Sequence, residues 1–192
     1  MQKVIADITT SIDGFVMGPG EQLGRLHDWV FAGREPEGDP RTAATGIDAE
    51  ILADSFDSRG AVIMGRRVYE LTNGWNDDPP YGVPCFVVTS VPLASYETPN
   101  GTSFVSVTDG AASAVAQARA AAGDRDVSVM GGARTITSII DAGLADELQL
   151  HIAPRLLGGG IHLFDGISRE IEFEITRVEK SPFATHVFYS VT

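Results

Sequence analysis

Short apolar runs rich in β-branched residues recur along most of the chain. Each run is nearly continuous in hydrophobicity, as is typical of a strand that is covered on both faces of a sheet. Segments with helical character separate several of these runs. Because alternating strands and helices form parallel sheets, the pattern predicts a three-layer α/β fold around a mostly parallel central sheet. The runs occupy residues 4–9, 61–64, 85–89, 104–107, 127–130 and 148–152.

The helical segments between the runs have recognisable ends. Thr45 and Asp48 have the spacing of a capping box ahead of one helix. The alanine-rich segment 111–122 has high helix propensity, with Thr108 or Asp109 as its N-cap. Glycines suited to ending a helix follow three of the segments. These glycines are Gly74, Gly123 and Gly143.

The C-terminal part has a different pattern. Residues 171–175 alternate strictly between apolar and charged side chains, and Ser181-Pro182-Phe183 separates them from a β-rich run at 185–191. This pattern predicts an antiparallel C-terminal hairpin. Residues 33–45 predict a long polar loop that is either functional or disordered. No linker interrupts the chain, so one domain over residues 1–192 is expected.

The charge balance excludes several classes of partner. Fourteen Lys and Arg against 26 Asp and Glu give a net charge of −12, which repels nucleic acids and anionic lipid surfaces. No segment has the roughly 18 consecutive apolar residues that a membrane helix needs, and the N-terminus lacks a secretory signal pattern. We therefore expect no nucleic-acid or membrane partner and a cytoplasmic location. The single cysteine, Cys85, lies in an apolar run and is interpreted as a buried, inert thiol rather than a nucleophile.

Spacing also argues against several familiar sites. Residues 18–24 have one residue too many for the dinucleotide fingerprint. The four histidines, His27, His151, His162 and His186, are scattered, so no metal site is expected. A zinc deaminase is excluded because only Pro84-Cys85 of its cysteine motif is present.

Two strand-to-helix turns remain as candidate anion sites. In the first, an apolar run leads directly into Gly65-Arg66-Arg67, which places a glycine and two guanidinium groups at a helix N-terminus, where free N–H groups favour a phosphate. The second turn has Gly131-Gly132 followed by Arg134. Thr89-Ser90 ends a neighbouring run and offers two hydroxyls to a ribose phosphate. The alternative for the arginine pair is a solvated pair on a helix. The alternative for Gly131-Gly132 is a tight connection between strand and helix, and that for Thr89-Ser90 is an ordinary turn.

Four segments, in this order, resemble the dihydrofolate-reductase-like superfamily, in particular the branch similar to the reductase domain of bacterial riboflavin biosynthesis. The resemblance extends over nearly the whole chain and implies a dihydrofolate-reductase-like fold, an NADPH cofactor and a homodimer. The segments are residues 11–15, 64–70, 129–134 and 153–160.

The resemblance assigns cofactor contacts to residues of this chain. Arg66 and the Thr89-Ser90 pair would bind the 2′-phosphate beside Gly65, while Arg67 would assist or face solvent. The double-glycine turn would border the pyrophosphate and nicotinamide, and residues 12–16 would form a mobile loop over the nicotinamide. The residues of these last two regions are Gly131, Gly132, Ala133, Arg134 and Thr135, and Ile12, Gly14 and Val16.

The implied reaction is hydride transfer from NADPH to a small heterocyclic, pterin- or pyrimidine-like substrate, or to a carbonyl or imine. Asp13 or His151 is a candidate to donate or relay a proton. A turn-stabilising role for Asp13 and a satisfied core position for His151 are the alternatives. Dihydrofolate reductases have a buried carboxylate on the helix after the first loop, and three residues are candidates for it here. Trp29 and Phe31 are interpreted either as core or lid residues or as residues that stack on the substrate. The carboxylate candidates are Asp48, Glu50 and Asp54.

The alternative function is a non-catalytic NADP(H)-binding or sensor protein that reports its ligand through the loop at 33–45. It is motivated by the lack of one clearly matching catalytic carboxylate in the sequence.

Overall fold

A computed structural model describes residues 1–34 and 40–192 of the chain. Within these residues, eleven strands and five α-helices form. The strands are β1 (Val4–Ser11), β2 (Phe15–Met17), β3 (Arg59–Gly65), β4 (Cys85–Val88), β5 (Tyr96–Glu97), β6 (Ser103–Val107), β7 (Asp126–Val129), β8 (Glu147–Ala153), β9 (Ile161–His162), β10 (Phe173–Lys180) and β11 (Thr185–Val191). The helices are α1 (Pro40–Ala43), α2 (Ile47–Ser58), α3 (Arg66–Leu71), α4 (Ala111–Ala122) and α5 (Ala133–Asp141).

Nine strands form one sheet in the order β10-β11-β8-β1-β7-β3-β4-β6-β5. The six strands from β8 to β6 in this order are parallel to one another. Strands β10 and β11 pair antiparallel with each other, and β11 pairs antiparallel with β8. The six predicted runs are these parallel strands, so the predicted parallel sheet and its antiparallel C-terminal hairpin are confirmed.

The sheet is covered on both faces. Alternate residues of β3 enter different clusters: Ala61 and Ile63 join the apolar core that includes residues of α4 and α5, while Val62 and Met64 join a second cluster with Val87. A third cluster includes residues of α2. Because side chains of a strand point alternately to its two faces, this division confirms the predicted three layers. Among the described residues, no helix is long and apolar enough to cross a membrane.

Two predicted helix starts are wrong. Helix α2 is entered through Gly46, with φ +60°, rather than through a capping box at Thr45. Helix α4 is entered through Gly110, with φ +100°, and not through Thr108 or Asp109. At both positions a glycine with positive φ turns the chain into the helix without a side-chain cap, a conformation that glycine adopts at little cost.

The predicted loop at 33–45 is wrong in its second half, because Pro40–Ala43 is helical. Residues 35–39 of that loop lie outside the described residues, so the proposed sensor segment is only partly described. The predicted loop at residues 12–16 is also shorter than expected, since Phe15 and Val16 belong to β2 and pair with β9.

Candidate active site

The two predicted anion-binding turns meet at the carboxyl edge of the sheet. Their strands, β3 and β7, are parallel neighbours, and the Gly65 N–H donates to the carbonyl oxygen of Gly131 at 2.8 Å. A Cβ atom on Gly65 would lie 2.6 Å from Thr135 Oγ1 and 3.3 Å from the backbone nitrogen of Gly132. Only glycine fits this contact, which brings the N-termini of α3 and α5 to the same edge.

Arg66 and Arg67 lie at the first turn of α3, at this edge. The Arg66 side chain is 38% exposed, and its Nε donates to Glu70 Oε1 at 2.6 Å. A phosphate bound by Arg66 would therefore compete with Glu70. Arg67 and Arg134 are exposed at the starts of the two helices.

Thr89 and Ser90, the two hydroxyl residues after β4, are not equally available to bind a phosphate. Thr89 Oγ1 donates to the carbonyl oxygen of Val91 at 2.9 Å and accepts from the Val91 N–H at 3.1 Å. This geometry favours the turn alternative for Thr89, which is buried. Ser90 is exposed beside it and is the better candidate of the two to contact a ribose phosphate.

Asp13 ties the segment after β1 to the segment after β8. Its carboxylate accepts hydrogen bonds from the Ser11 hydroxyl and from the N–H groups of Gly158 and Leu157. These donors lower the pKa of Asp13 to about 2. Asp13 is therefore ionised near neutral pH, and the geometry favours its turn-stabilising role over that of a proton donor. Ile12 is 62% exposed at the tip of this turn.

We expect Asp13→Ala to remove the hydrogen bonds that link the segment after β1 to Leu157 and Gly158. The Leu157 and Gly158 amides lose a charged acceptor, so their hydrogen exchange should accelerate about tenfold, whereas the same change at the exposed Asp165 should leave both rates unchanged. Since the pKa of Asp13 is lowered from 3.8 to about 2, its contribution is present above about pH 4 and is lost as the pH falls through about 2. Equal exchange in both variants would contradict this role.

A buried array of titratable side chains lies on the α2 side of the sheet. The register of β8 with β11 places His151 directly opposite His186, and their Nδ1 atoms are 2.7 Å apart. His151 Nε2 is 3.0 Å from Asp7 Oδ1 on β1, and His186 Nε2 is 2.8 Å from Asp48 Oδ1 on α2. We call Asp7, His151, His186 and Asp48 the His–Asp array.

Neighbouring side chains hold the array in place. The Trp29 ring lies over His151 with ring centroids 4.3 Å apart, and its Nε1 donates to Thr9 Oγ1 at 2.9 Å. Ser55 Oγ donates to Asp7 Oδ2 at 3.3 Å and accepts from Nη2 of the buried Arg59 at 2.8 Å. The array is thus continuous with a buried guanidinium group.

The surroundings set the charges of two array members. Burial raises the pKa of Asp7, but the hydrogen bond and charge of His151 and the charge of Arg59 outweigh it and hold that pKa below its ordinary value. Burial and the neighbouring His151 lower the pKa of His186, although Asp48 opposes them. Asp7 is therefore a carboxylate, and His186 is a neutral imidazole.

The sequence profile of the RibD C-terminal domain matches residues 2–187. The chain belongs to this family. The uncharacterized protein YwjB of Bacillus subtilis (strain 168) is 24% identical over 191 residues, which cover 98% of this chain and 97% of the relative.

Solved structures share the fold of this RibD C-terminal domain. A candidate riboflavin biosynthesis protein from Shewanella sp. PV-4 has a TM-score of 0.71 and 22% identity, covering 100% of this chain and 99% of the other. Dihydrofolate reductase from Enterococcus faecalis, complexed with NADP(H), has a TM-score of 0.57 and 16% identity, covering 99% and 96%. The predicted resemblance and the dihydrofolate-reductase-like fold are confirmed.

The structure selects among the residues that the sequence left open. Of the three acidic candidates on α2, Asp48 is buried with 1% exposure, whereas Glu50 and Asp54 are exposed. His151 occupies a satisfied buried position, and Trp29 packs on it. Phe31 is partly buried and packs against the apolar cluster that contains Trp29 and residues of α2.

Asp7 and His186 were missed as site residues. The residues around them carry no local motif, and their partners lie on other strands and on α2. The four histidines are far apart in the sequence, as described, but two of them are in contact in the fold, because the β8–β11 register pairs His151 with His186.

A cavity of about 230 Å³ opens at the opposite edge of the sheet. Lys3, Ser55 and Glu147 are among the residues that line it. It lies at the amino ends of the strands and therefore far from the carboxyl-edge turns, where a cofactor would be expected.

Proposed function

We propose that this RibD C-terminal domain is an NADPH-dependent reductase. Its substrate would be a small pterin- or pyrimidine-like heterocycle, or a carbonyl or imine. The observation that carries the proposal is the contact between the Gly65 and Gly131 turns, which brings two helix N-termini and exposed arginines to one edge. The family and its reductase relatives by fold support an oxidoreductase role.

The residues present fit a dinucleotide phosphate. The half-buried Gly132, which follows the buried Gly131, is the N-cap of the nine-residue helix α5, where N–H groups favour a pyrophosphate. Arg66, assisted by Arg67 and Ser90, would take the 2′-phosphate. The segment with Ile12 and Gly14 would cover the nicotinamide, whereas Val16, buried in β2, would contribute through its backbone only. When bound, NADPH supplies the hydride.

The substrate would lie between β1, α2 and the segment that carries Trp29. The Asp7 side chain is 16% exposed, whereas those of His151, His186 and Asp48 are at most 2% exposed. Asp7 is therefore the member of the His–Asp array that a substrate would reach. His151 would act behind it rather than on the substrate.

We expect Arg66→Ala to remove the preference for NADPH over NADH. Loss of a charge-assisted phosphate contact costs about 1.5–3 kcal/mol, so the Kd for NADPH should rise about 10- to 100-fold while that for NADH stays unchanged. Titration calorimetry with both nucleotides measures the change. Arg125→Ala, at an exposed arginine beyond α4, is the control. Absence of NADPH preference in the wild type, or its survival in Arg66→Ala, would show that the phosphate assignment is wrong.

The alternative is a non-catalytic NADP(H)-binding or sensor protein. The burial of Asp48 and the position of Asp7 favour the enzyme, because they supply carboxyl groups on the proposed substrate side. Single-turnover oxidation of bound NADPH, tested with pterin, pyrimidine, quinone and imine acceptors, separates the two. A sensor would oxidise NADPH with none of them.

Homodimer formation and a cytoplasmic location stay predictions. Ile175 and Val178 are 60% and 54% exposed on the edge strand β10. They form apolar surface that a second copy could cover.

A further inference from the structure

A buried guanidinium group lies at the amino ends of the strands, beside the cavity of about 230 Å³. Arg59, the first residue of β3, is 2% exposed, and its Nη2 donates to Ser55 Oγ at 2.8 Å. Its Nε and Nη1 atoms have no hydrogen-bond partner among the described residues. A buried charged donor without an acceptor is costly. These two atoms therefore indicate an acceptor that the chain itself does not supply.

Arg59 and Ser128 line a small inner pocket. Its volume is about 10 Å³, which admits one group of the size of a water molecule. Ser128 Oγ is buried and, like the two Arg59 atoms, has no hydrogen-bond partner within the described part of the chain. Strands β3 and β7 thus direct a cationic donor and a hydroxyl group to one small space.

The inner pocket adjoins the larger cavity, because five residues line both. The cavity is smaller than the roughly 300–1,000 Å³ that is usual for sites of drug-sized ligands, so its occupant must be a small molecule. Ile51 and Phe188 add apolar wall to its outer part. The residues common to the inner pocket and the cavity are Ile5, Ser55, Ser58, Asp126 and Gln149.

Two ion pairs offset four of the charges around the cavity. Lys3 pairs with Glu147, and Arg177 Nη1 lies 4.0 Å from Asp54 Oδ2.

Arg59 and Asp126 carry the other two charges of the lining. They are register partners on β3 and β7, yet within the described residues no ion pair joins their side chains. Asp126 Oδ1 accepts the backbone N–H of Lys3 at 2.8 Å. The site therefore presents a positive and a negative group that do not neutralise each other directly.

We propose that this cavity is a binding site for a small zwitterion of the α-amino acid class. The ligand carboxylate places an oxygen in the inner pocket, where Arg59 and Ser128 donate to it, and the ligand ammonium group lies against Asp126. Charge-assisted hydrogen bonds at both ends fix its orientation. A small apolar side chain lies against Ile51 and Phe188. The site is separate from the Gly65 and Gly131 turns at the opposite edge and does not depend on a reductase function.

A zwitterion suits the charges of the site better than a simple anion or cation does. A carboxylate without an ammonium group brings a negative charge beside Asp126, and an amine without a carboxylate brings a positive charge beside Arg59. Like charges at such short range repel each other. A water molecule fits the inner pocket but supplies no charge to either group.

Titration calorimetry of the wild-type protein with L-alanine, propionate and ethylamine tests the charge requirement. We expect saturable binding of L-alanine, and binding of propionate and ethylamine that is weaker by about tenfold or more, because each lacks one charge-assisted contact. Absence of saturable L-alanine binding overturns the proposal and leaves water as the occupant of the inner pocket. Propionate or ethylamine binding as tightly as L-alanine also overturns it.

Nitrogen-15 NMR of the wild-type protein locates the ligand without any variant. The Arg59 Nε–H resonance, assigned through bonds from its backbone, should shift during the L-alanine titration with the midpoint that calorimetry gives. Binding that leaves this resonance unchanged would place L-alanine elsewhere and overturn the assignment.

Two variants test the two ends of the site. Ser128→Val removes the hydroxyl and fills the inner pocket, so the Kd for L-alanine should rise about tenfold or more, whereas Ser103→Val, half-buried on β6, should not change it. Asp126→Asn keeps an oxygen for the Lys3 N–H but should abolish the preference for L-alanine over propionate. Asp124→Asn, at an exposed neighbouring position, is its control. Wild-type affinity in Ser128→Val, or wild-type preference in Asp126→Asn, contradicts the proposed orientation.

Discussion

His186→Ala is expected to lower the free energy of unfolding by about 3–5 kcal/mol, which corresponds to a fall in Tm of about 10 °C for a chain of this size. The truncation removes a side chain with 0% exposure and leaves His151 Nδ1 and the Asp48 carboxyl group buried without their partner. Each such buried polar group costs about 1–3 kcal/mol. Urea denaturation of the variant and the wild type measures the difference.

A second substitution separates lost packing from lost hydrogen bonding. Adding Asp48→Ala to His186→Ala removes the unpartnered carboxyl group, so the double variant should be more stable than the sum of the two single effects predicts. Thr185→Ala, exposed on the same strand, should change stability little. Strict additivity of the two array substitutions would contradict the coupling.

The stability of the wild type and that of His186→Ala should depend differently on pH. The pKa of His186 is lowered from 6.5 in the folded protein, so its contribution to stability is present above pH 6.5 and is lost as the pH falls through the lowered pKa. The stability difference between wild type and His186→Ala should therefore narrow on acidification. A difference that does not change with pH would show that the histidine is not held neutral.

Gly160→Ala is expected to destabilise the protein by about 3 kcal/mol or more. Gly160 has φ +121°, and a Cβ atom there would lie 1.9 Å from the Met17 carbonyl oxygen and 2.8 Å from the carbonyl carbon of Gly18. These are backbone atoms of β2 and of the residue after it, so relief of the clash must separate β2 from β9. The turn at residues 12–14 should loosen as a result, and NADPH affinity should fall with it.

Gly159→Ala is the matched control for this prediction. Gly159 has no positive φ, and its Cβ atom would lie 3.8 Å from Pro19 Cγ, an ordinary contact. Thermal denaturation should leave this variant close to the wild type while Gly160→Ala melts well below it. Equal melting temperatures for the two variants would show that the close approach of residue 160 to β2 is not rigid.

The local pattern of the sequence was sufficient for the six parallel strands, the C-terminal hairpin and the two glycine turns. Continuous apolar runs and the alternation at 171–175 depend on neighbours in the chain, and they correctly predicted the parallel strands and the C-terminal hairpin. Gly65 and Gly131-Gly132 were identified as turns for the same reason, since a strand, a glycine and a helix start follow one another within a few residues. The cap residues were mispredicted because Gly46 and Gly110 provide backbone geometry that a side-chain motif does not reveal.

The sequence by itself determined the six parallel strands, the C-terminal hairpin and the arginine-bearing turns. Only the tertiary structure decided that Gly65 touches the second turn, that Asp48 is the buried carboxyl group of α2, and that Asp7, His151 and His186 form one line with it. The physical reason is strand register. A shift of one residue between β8 and β11 would turn His186 to the other face, and the register is set by packing between segments that are distant in the sequence.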